Sequence, residues 1–327
     1  MPNCCICYTT DPGYLFPTFV SAMQARRHAP THIADVAIFS IGVPAQQEAA
    51  FAHACAEEGI RFLSVPSKHL DGASAMLARL FLDRIVPTDY DQLLYIDGDT
   101  QITNTLVPLL QAQVPPGHFC AASDPMTFSL RSGNRRDQQL IDYFSSIGLN
   151  ATKQRTYFNS GVLRINRTGW NEIGHNSWIL FQKLRDRSRY PDQDALNLAA
   201  MDQRIPMSLV WNFPIFLRNA RLERDISPHI VHYMGSPKPW HGQFMPWGAA
   251  EYDEYLAAAY RYPALIPFLS NMTWPRKLKY MMQQRYKKIQ ETAIWGRGRR
   301  HHEILHYESR MRLGIASPPI RGFTGLG

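Results

Sequence analysis

LLYIDGDTQI, residues 93–102, runs a mostly apolar stretch into two aspartates one residue apart. A carboxylate left desolvated and unpaired at a strand end costs several kcal/mol, so Asp97 and Asp99 need a positive partner. Upstream, CCICYTT (4–10), DVAIFSI (35–41) and RFLSV (61–65) are β-rich runs, with helical stretches at 14–28 and 46–58 between them. SAMLARLFLDRIV (74–86) carries apolar residues at 77, 80, 81 and 85, the spacing of a helical face. Strands alternating with helices predict an α/β domain with a mainly parallel, Rossmann-like sheet flanked by helices. Such sheets bind ligands at the carboxyl ends of their strands. That makes Asp97 and Asp99 site candidates rather than parts of a solvated turn.

Downstream the pattern is more mixed. FCAASD (119–124) is a strand that ends in Asp124. YFNSGVLRIN (157–166) reads as a strand pair, or a strand broken at Gly161. Residues 170–187 read as a helix. YPDQDALNLAAM (190–201) starts with a proline and acidic residues and continues as a helix. HIVHYMGSPKPW (229–240) is a strand followed by a Gly/Pro loop. Repeats and low-complexity tracts are absent.

With 327 residues, 45% of them apolar, the chain can bury a sizeable core. No secretory signal and no membrane-spanning run is expected, which points to a cytoplasmic protein, peripheral on the inner face of the plasma membrane if bound to it. The five cysteines, three of them at 4, 5 and 7, suit free thiols in a reducing compartment. The net charge of +8 is unevenly placed: from residue 264 onward there are 12 Lys/Arg and three Asp/Glu, against 23 and 24 in the remainder. Pro263 and Pro267 bracket the start of this basic region. The expected division is therefore a catalytic domain over 1–262 and a basic amphipathic extension over 263–327.

The simplest partner for two carboxylates on a short turn is a hard divalent cation, Mn²⁺ or Mg²⁺. Haloacid-dehalogenase-type phosphatases also place D-x-D at a strand end, but they want Thr or Val where Gln101 stands. Four stretches in order resemble glycosyltransferase family 8, the retaining enzymes that include bacterial lipopolysaccharide galactosyl- and glucosyltransferases. They are LLYIDGD, YFNSGVLRIN, PDQDALN and HYMGSPKPW. The resemblance spans roughly residues 3–250. It implies a GT-A nucleotide-sugar transferase fold, a UDP-sugar donor of galactose or glucose, Mn²⁺, and a glycan acceptor in lipopolysaccharide or another cell-surface polysaccharide. A non-catalytic nucleotide-sugar-binding or scaffolding protein of the same fold is the alternative.

By this resemblance Asp97, Asp99 and His232 hold the metal. Thr9, Thr10 and Asp11 contact the base and ribose. Arg79 and Gly98 lie along the donor, and Gly235 and Lys238 meet its phosphates. Pro12-Gly13 departs from the polar residues that relatives carry there. Asp124, Asn159, Asp192 and Gln193 line the sugar subsite, while Asp194 is read as structural. A retaining two-carboxylate mechanism needs a nucleophilic carboxylate beneath the anomeric carbon. The matching residue is Gln193, a poor nucleophile, so a front-face displacement is expected, with Asp192 in reserve. Acceptor contacts are expected from 126–156 and 203–225.

In the tail, 274–295 places Leu278, Met281, Met282, Tyr286, Ile289 and Ala293 on one helical face, flanked by Lys277, Lys279, Arg285, Lys287 and Lys288. That is the makeup of a helix lying on an anionic membrane surface. Packing of that face onto the catalytic body is the competing expectation. Nucleic-acid binding is not expected, because no recognised module accompanies the charge.

Overall fold

In β1 (Cys4–Thr10) successive residues enter opposite cores. Cys4, Ile6 and Tyr8 pack on one face of a sheet, and Cys5 and Cys7 on the other. This period of two persists because both faces are covered by helices, so every residue of the strand is apolar or small. The computed structural model describes residues 2–130, 135–270 and 272–311. The main sheet also contains β2 (Asp35–Ile41), β3 (Arg61–Val65), β4 (Gln92–Ile96), then β6 (Phe119–Ser123), β7 (Phe158–Asn166) and β8 (Arg204–Met207), after an intervening β5 (Thr100–Ile102) that lies elsewhere. Among the described residues its order is β3-β2-β1-β4-β7-β6-β8. Only β7 runs against the rest, antiparallel to both β4 and β6. Helices Leu15–His28 and Ala45–Glu57 cover one face, and Trp170–Leu184 and Pro191–Ala200 the other.

Three parallel strands deliver an aspartate to the same edge: Asp11 after β1, Asp97 after β4, Asp124 after β6. The antiparallel β7 enters at that edge and contributes Asn159, Ser160 and Gly161 from its first residues. The chain order reverses between β1 and β4, which opens a crevice there. A small second sheet, β5 with β9 (Phe213–Pro214) and β10 (Ile230–His232), lies beside this edge. Its register pairs His232 with Thr100, and Tyr233 N donates to the Asp99 carbonyl at 2.9 Å. Two short backbone ladders thus carry a distant histidine to the acidic turn.

Two local expectations need correction. The 157–166 stretch forms one continuous strand, Phe158–Asn166, with no break at Gly161. The glycine is there for proximity: a Cβ would lie 2.3 Å from His232 Cε1 and 2.9 Å from Asp97 Oδ2. The 74–86 stretch is a 3-10 helix, Ala75–Phe81, followed by one turn of α-helix, Leu82–Ile85. Tertiary contacts take over its carbonyls. Trp170 Nε1 donates to the Arg79 carbonyl at 3.2 Å, and Gly174 lies against that of Leu80.

All five cysteines are buried and unpaired. Burial raises each thiol, Cys120 to about 11 and Cys55 to about 12, so none is a ready thiolate ligand.

The basic extension is anchored to the body. Helix Trp274–Trp295 packs against the 215–220 turn, with Trp295 against Phe216 at 5.9 Å. Helix Arg299–Met311 buries Ile304 and Glu308, and the Glu308 carboxylate accepts from Ser208 Oγ and from Leu209 N. Residues 312–327 of the expected extension lie outside the described residues. The competing expectation for 274–295, burial of its apolar face on the body, is overturned. Gln284, Lys287 and Glu291, each three or four residues apart, reach the body. Met282, Tyr286 and Ile289 are 62%, 62% and 72% exposed. Tyr280, Ile294 and Trp295 pack on the body, so the helix has one apolar set turned inward and a second turned outward.

Candidate active site

Desolvation would raise both acids of the D-x-D turn. For Asp97 it prevails although the Arg79 guanidinium opposes it. Around Asp99 the Lys238 ammonium and the His232 ring outweigh it and hold the carboxyl well below the usual range. Lys238 Nζ lies 2.5 Å from Asp99 Oδ2 and also donates to the Tyr233 carbonyl at 2.6 Å. Arg79 NH2 lies 2.8 Å from Asp97 Oδ1, and its Nε lies 3.1 Å from Asp192 Oδ2. Arg79 also donates to the Ser160 carbonyl at 2.9 Å and lies over the Tyr95 ring at 4.9 Å. Both cations are 7% exposed. Neither is the solvated surface residue that Arg or Lys usually is.

His232 completes the group. Its Nε2 lies 3.3 Å from Asp99 Oδ1 and 3.9 Å from Asp97 Oδ2. The other ring nitrogen, Nδ1, faces Asn212 Oδ1 at 2.9 Å, while Asn212 Nδ2 donates to Asn159 Oδ1 at 2.8 Å. An amide oxygen can only accept, so Nδ1 donates to Asn212, and Nε2 is the ring atom that faces the two carboxylates. Ligand atoms of Asp97, Asp99 and His232 all lie within 4.8 Å of one another. Two carboxylate oxygens and one imidazole nitrogen converging in this way suit Mn²⁺ or Mg²⁺. The residues fit such an ion.

Beside this group, in the crevice between β1 and β4, lies a cavity of about 310 Å³. Of the predicted donor residues, Thr9, Thr10, Asp11, Arg79, Asp97, Gly98 and Asp99 all line it, joined by Tyr14, Thr18, Met76 and Tyr95. Asp11 has two tasks: its Oδ1 accepts from Gly13 N and Tyr14 N, which shapes the Pro12-Gly13 turn, and it borders the cavity. Gly98 is fixed by packing, since a Cβ would meet Thr18 Oγ1 at 2.1 Å. Gly235 has φ +79°, a backbone conformation that favours glycine, and open space where a Cβ would stand. Trp240 is buried against Tyr14 and Tyr255, packing the loop down.

A second buried network adjoins the first. Asp124 Oδ2 accepts from Asn159 Nδ2 and Gln193 Nε2, both at 3.1 Å, while its Oδ1 caps the next turn through Met126 N at 3.0 Å. Gln193 Oε1 accepts from Ser160 N at 3.2 Å, and Asp192 Oδ2 from Ser160 Oγ at 2.7 Å. Asp194 is a separate hub, bonded to Tyr143, Tyr157, Ser188 and Tyr190 N. Every predicted site residue therefore falls in the cavity, the acidic group, the adjoining network or the 235–238 loop beside Asp99. Sequence reading missed Asn212, Ser160, Tyr95 and Tyr14. Asn212 left one signal, a polar residue alone in the apolar run LVWNFPIF.

The model of Glycosyl transferase family 8 matches residues 5–243, and the chain belongs to that family. It is 27% identical over 176 residues to the lipopolysaccharide glucosyltransferase WaaO of Escherichia coli K12, covering 48% of each chain. To a lipopolysaccharide 1,2-glucosyltransferase of Escherichia coli it is 26% identical over 188 residues, covering 52% of this chain and 51% of the other. The chain thus spans about half the length of these curated relatives. Among solved structures it is similar to the galactosyltransferase LgtC in complex with donor and acceptor sugar analogs. The TM-score is 0.61 at 22% identity, covering 84% of this chain and 99% of that one. At that identity the likeness is one of fold, and it is the GT-A fold. Among the described residues no helix is long and apolar enough to cross a membrane.

Proposed function

We propose that this protein is a retaining, metal-dependent hexosyltransferase. It moves galactose or glucose from a UDP-sugar to a glycan acceptor of lipopolysaccharide or another surface polysaccharide. The observation that carries this reading is the convergence of His232 Nε2 with the carboxylates of Asp97 and Asp99 at the border of the 310 Å³ cavity. The names of the relatives support a hexosyl donor and favour glucose or galactose.

A divalent cation held by Asp97, Asp99 and His232 supplies neutralisation of the charge that develops on a departing diphosphate. The chain's own residues do the rest. Arg79 fixes the Asp97 carboxylate through a guanidinium whose second edge is held by Asp192. Lys238, clamped between Asp99 and the Tyr233 carbonyl, brings a fixed positive charge to the phosphate side of the site. Asp192 is tied to Arg79 and Ser160, which leaves it poorly placed to attack an anomeric carbon. Gln193 Oε1 accepts one hydrogen bond, and its other lone pair is available to an oxocarbenium-like centre. In the front-face displacement the departing phosphate oxygen takes the acceptor's proton, and the new glycosidic bond forms on the face the phosphate leaves. Turnover of UDP-galactose and UDP-glucose with and without Mn²⁺ tests the reading, with Gln193→Ala expected to lose on the order of 10²-fold in kcat. Near-full activity of that variant would refute the role of Gln193. No turnover of any nucleotide sugar by the wild type would favour the non-catalytic alternative.

The acceptor is proposed to be reached at an anionic membrane. Support comes from the outward apolar face of helix Trp274–Trp295, with Trp274 69% exposed at its start and Lys279, Arg285 and Lys288 exposed along its flanks.

A further inference from the structure

The last described helix, Arg299–Met311, and the turn Pro125–Ser129 enclose an open groove of about 420 Å³. Its rim is basic. Arg155, His302, His306 and Arg310 are exposed there, and the one lining carboxylate, Glu303, is paired with Arg299 at 2.9 Å. Among the described residues neither Arg155 nor Arg310 is in an ion pair. Its wall holds an aromatic pair, Phe128 and Tyr307, with ring centroids 5.6 Å apart. Arginine forks recognise phosphate and carboxylate groups in a bidentate way, and aromatic faces suit the C–H face of a sugar ring. The volume is that of a site for a small ligand.

The groove's position gives it a purpose. Ser123, at its edge, is the residue before Asp124, and Thr127 Oγ1 donates to the Asp124 carbonyl at 2.8 Å. Asp124 in turn holds Gln193. A ligand in the groove would therefore lie next to the network proposed to surround the transferred sugar. The turn stands over the end of β6, and the last helix is fastened to the same strand end by Tyr307, whose hydroxyl accepts from Ser123 N at 3.2 Å.

We infer that this groove binds an anionic substituent, a phosphate or a carboxylate, carried by the acceptor glycan. The inference rests on the transferase reading, but its test is separate. The full-length protein is titrated with mannose 6-phosphate, glucuronate and mannose, with UDP and Mn²⁺ present to fill the donor cavity. The anionic sugars are expected to bind about tenfold or more tightly than mannose, and the preference should shrink as salt is raised. In Arg155→Glu/Arg310→Glu the preference should vanish, with UDP-sugar hydrolysis and Tm unchanged. Equal binding of the three sugars, or a preference that survives the double reversal, would overturn the inference. A double variant that loses binding to phosphatidylglycerol vesicles while keeping the sugar preference would assign these charges to lipid and overturn it too. A wild type that shows the preference yet hydrolyses no UDP-sugar would instead overturn the transferase reading and keep an anion site.

Discussion

Two sets of cations divide this molecule. Arg79 and Lys238 are buried, and each is held by a carboxylate and a backbone carbonyl. Lys277, Lys279, Arg285, Lys287 and Lys288 lie along an exposed helix, and among the described residues none forms an ion pair. A buried charge must bring its partners with it, so its surroundings are fixed residue by residue. An exposed charge needs only water, so its position along the helix is loosely constrained. The site is accordingly written in motifs, whereas the tail is written in composition.

The sharpest break of this comparison is Asp99→Asn. It removes a metal ligand and also strands the Lys238 ammonium, so hydrolysis of UDP-sugar should fall by on the order of 10²-fold or more. Denaturant unfolding without metal should show a loss of about 3 kcal/mol. A matching change in the tail, Lys288→Glu, should alter stability by less than about 0.5 kcal/mol. Equal stability costs in the two places would erase the distinction.

Asn212→Ala comes next. The variant frees the His232 ring to turn and to take the other tautomer, so Mn²⁺ activation should shift to about 10- to 100-fold higher concentration. Activity at saturating Mn²⁺ should stay close to wild type. A fall in kcat with no shift in the Mn²⁺ requirement would show that Asn212 supports the fold rather than the histidine.

The third test concerns the tail alone. Met282→Glu/Ile289→Glu should reduce flotation with phosphatidylglycerol vesicles about tenfold or more, with Tm and soluble-substrate turnover unchanged. If the variant instead lost more than about 1 kcal/mol of stability, the apolar face would have a partner within the protein.

How much of this was legible in the sequence follows the same divide. The five strands 4–10, 35–41, 61–65, 93–97 and 119–124 could be read because their β-rich runs are broken by helices and turns. The group of Asp97, Asp99 and His232 could be read from the resemblance, since D-x-D and HYMGSPKPW are local strings. Arg79 was found, but its 3-10 turn was not, because the bonds that replace the α-helical ones come from Trp170, far along the chain. Asn212 was missed because its role arises only where β9, β7 and β10 converge, between Asn159 and His232. Gly161 looked like a strand break because glycine usually weakens strands, while here it makes room for His232. In the tail, periodicity identified the apolar face but could not say which face meets the body. That depended on polar contacts such as Asn219 with Glu291.

The smallest effect probes the loop where the two kinds of charge come closest. His241 follows Lys238 by one turn, and its Nδ1 accepts from Lys238 N at 3.1 Å. Burial, then the nearby Arg276 of the tail helix and Lys238, push its pKa down from 6.5 to about 4. The folded ring therefore stays neutral where the unfolded chain would take up a proton. Unfolding gains a proton in that window, so stability falls as pH drops from 6.5 toward 4 and this contribution levels off below it. The Asp99 carboxyl is shifted in the same direction, below its ordinary value of 3.8, so the stability it contributes is also lost as pH falls, but only below that value. His241→Gln keeps an acceptor for Lys238 N but cannot titrate. It should lessen the loss of stability between those pH values by about 1 kcal/mol, since the ring is partly open to solvent, with no effect at pH 8. Arg276→Gln should reduce the same slope more weakly, because only the tail's share of the field is removed. A slope untouched by Arg276→Gln would mean that the tail's charge is screened from the site loop.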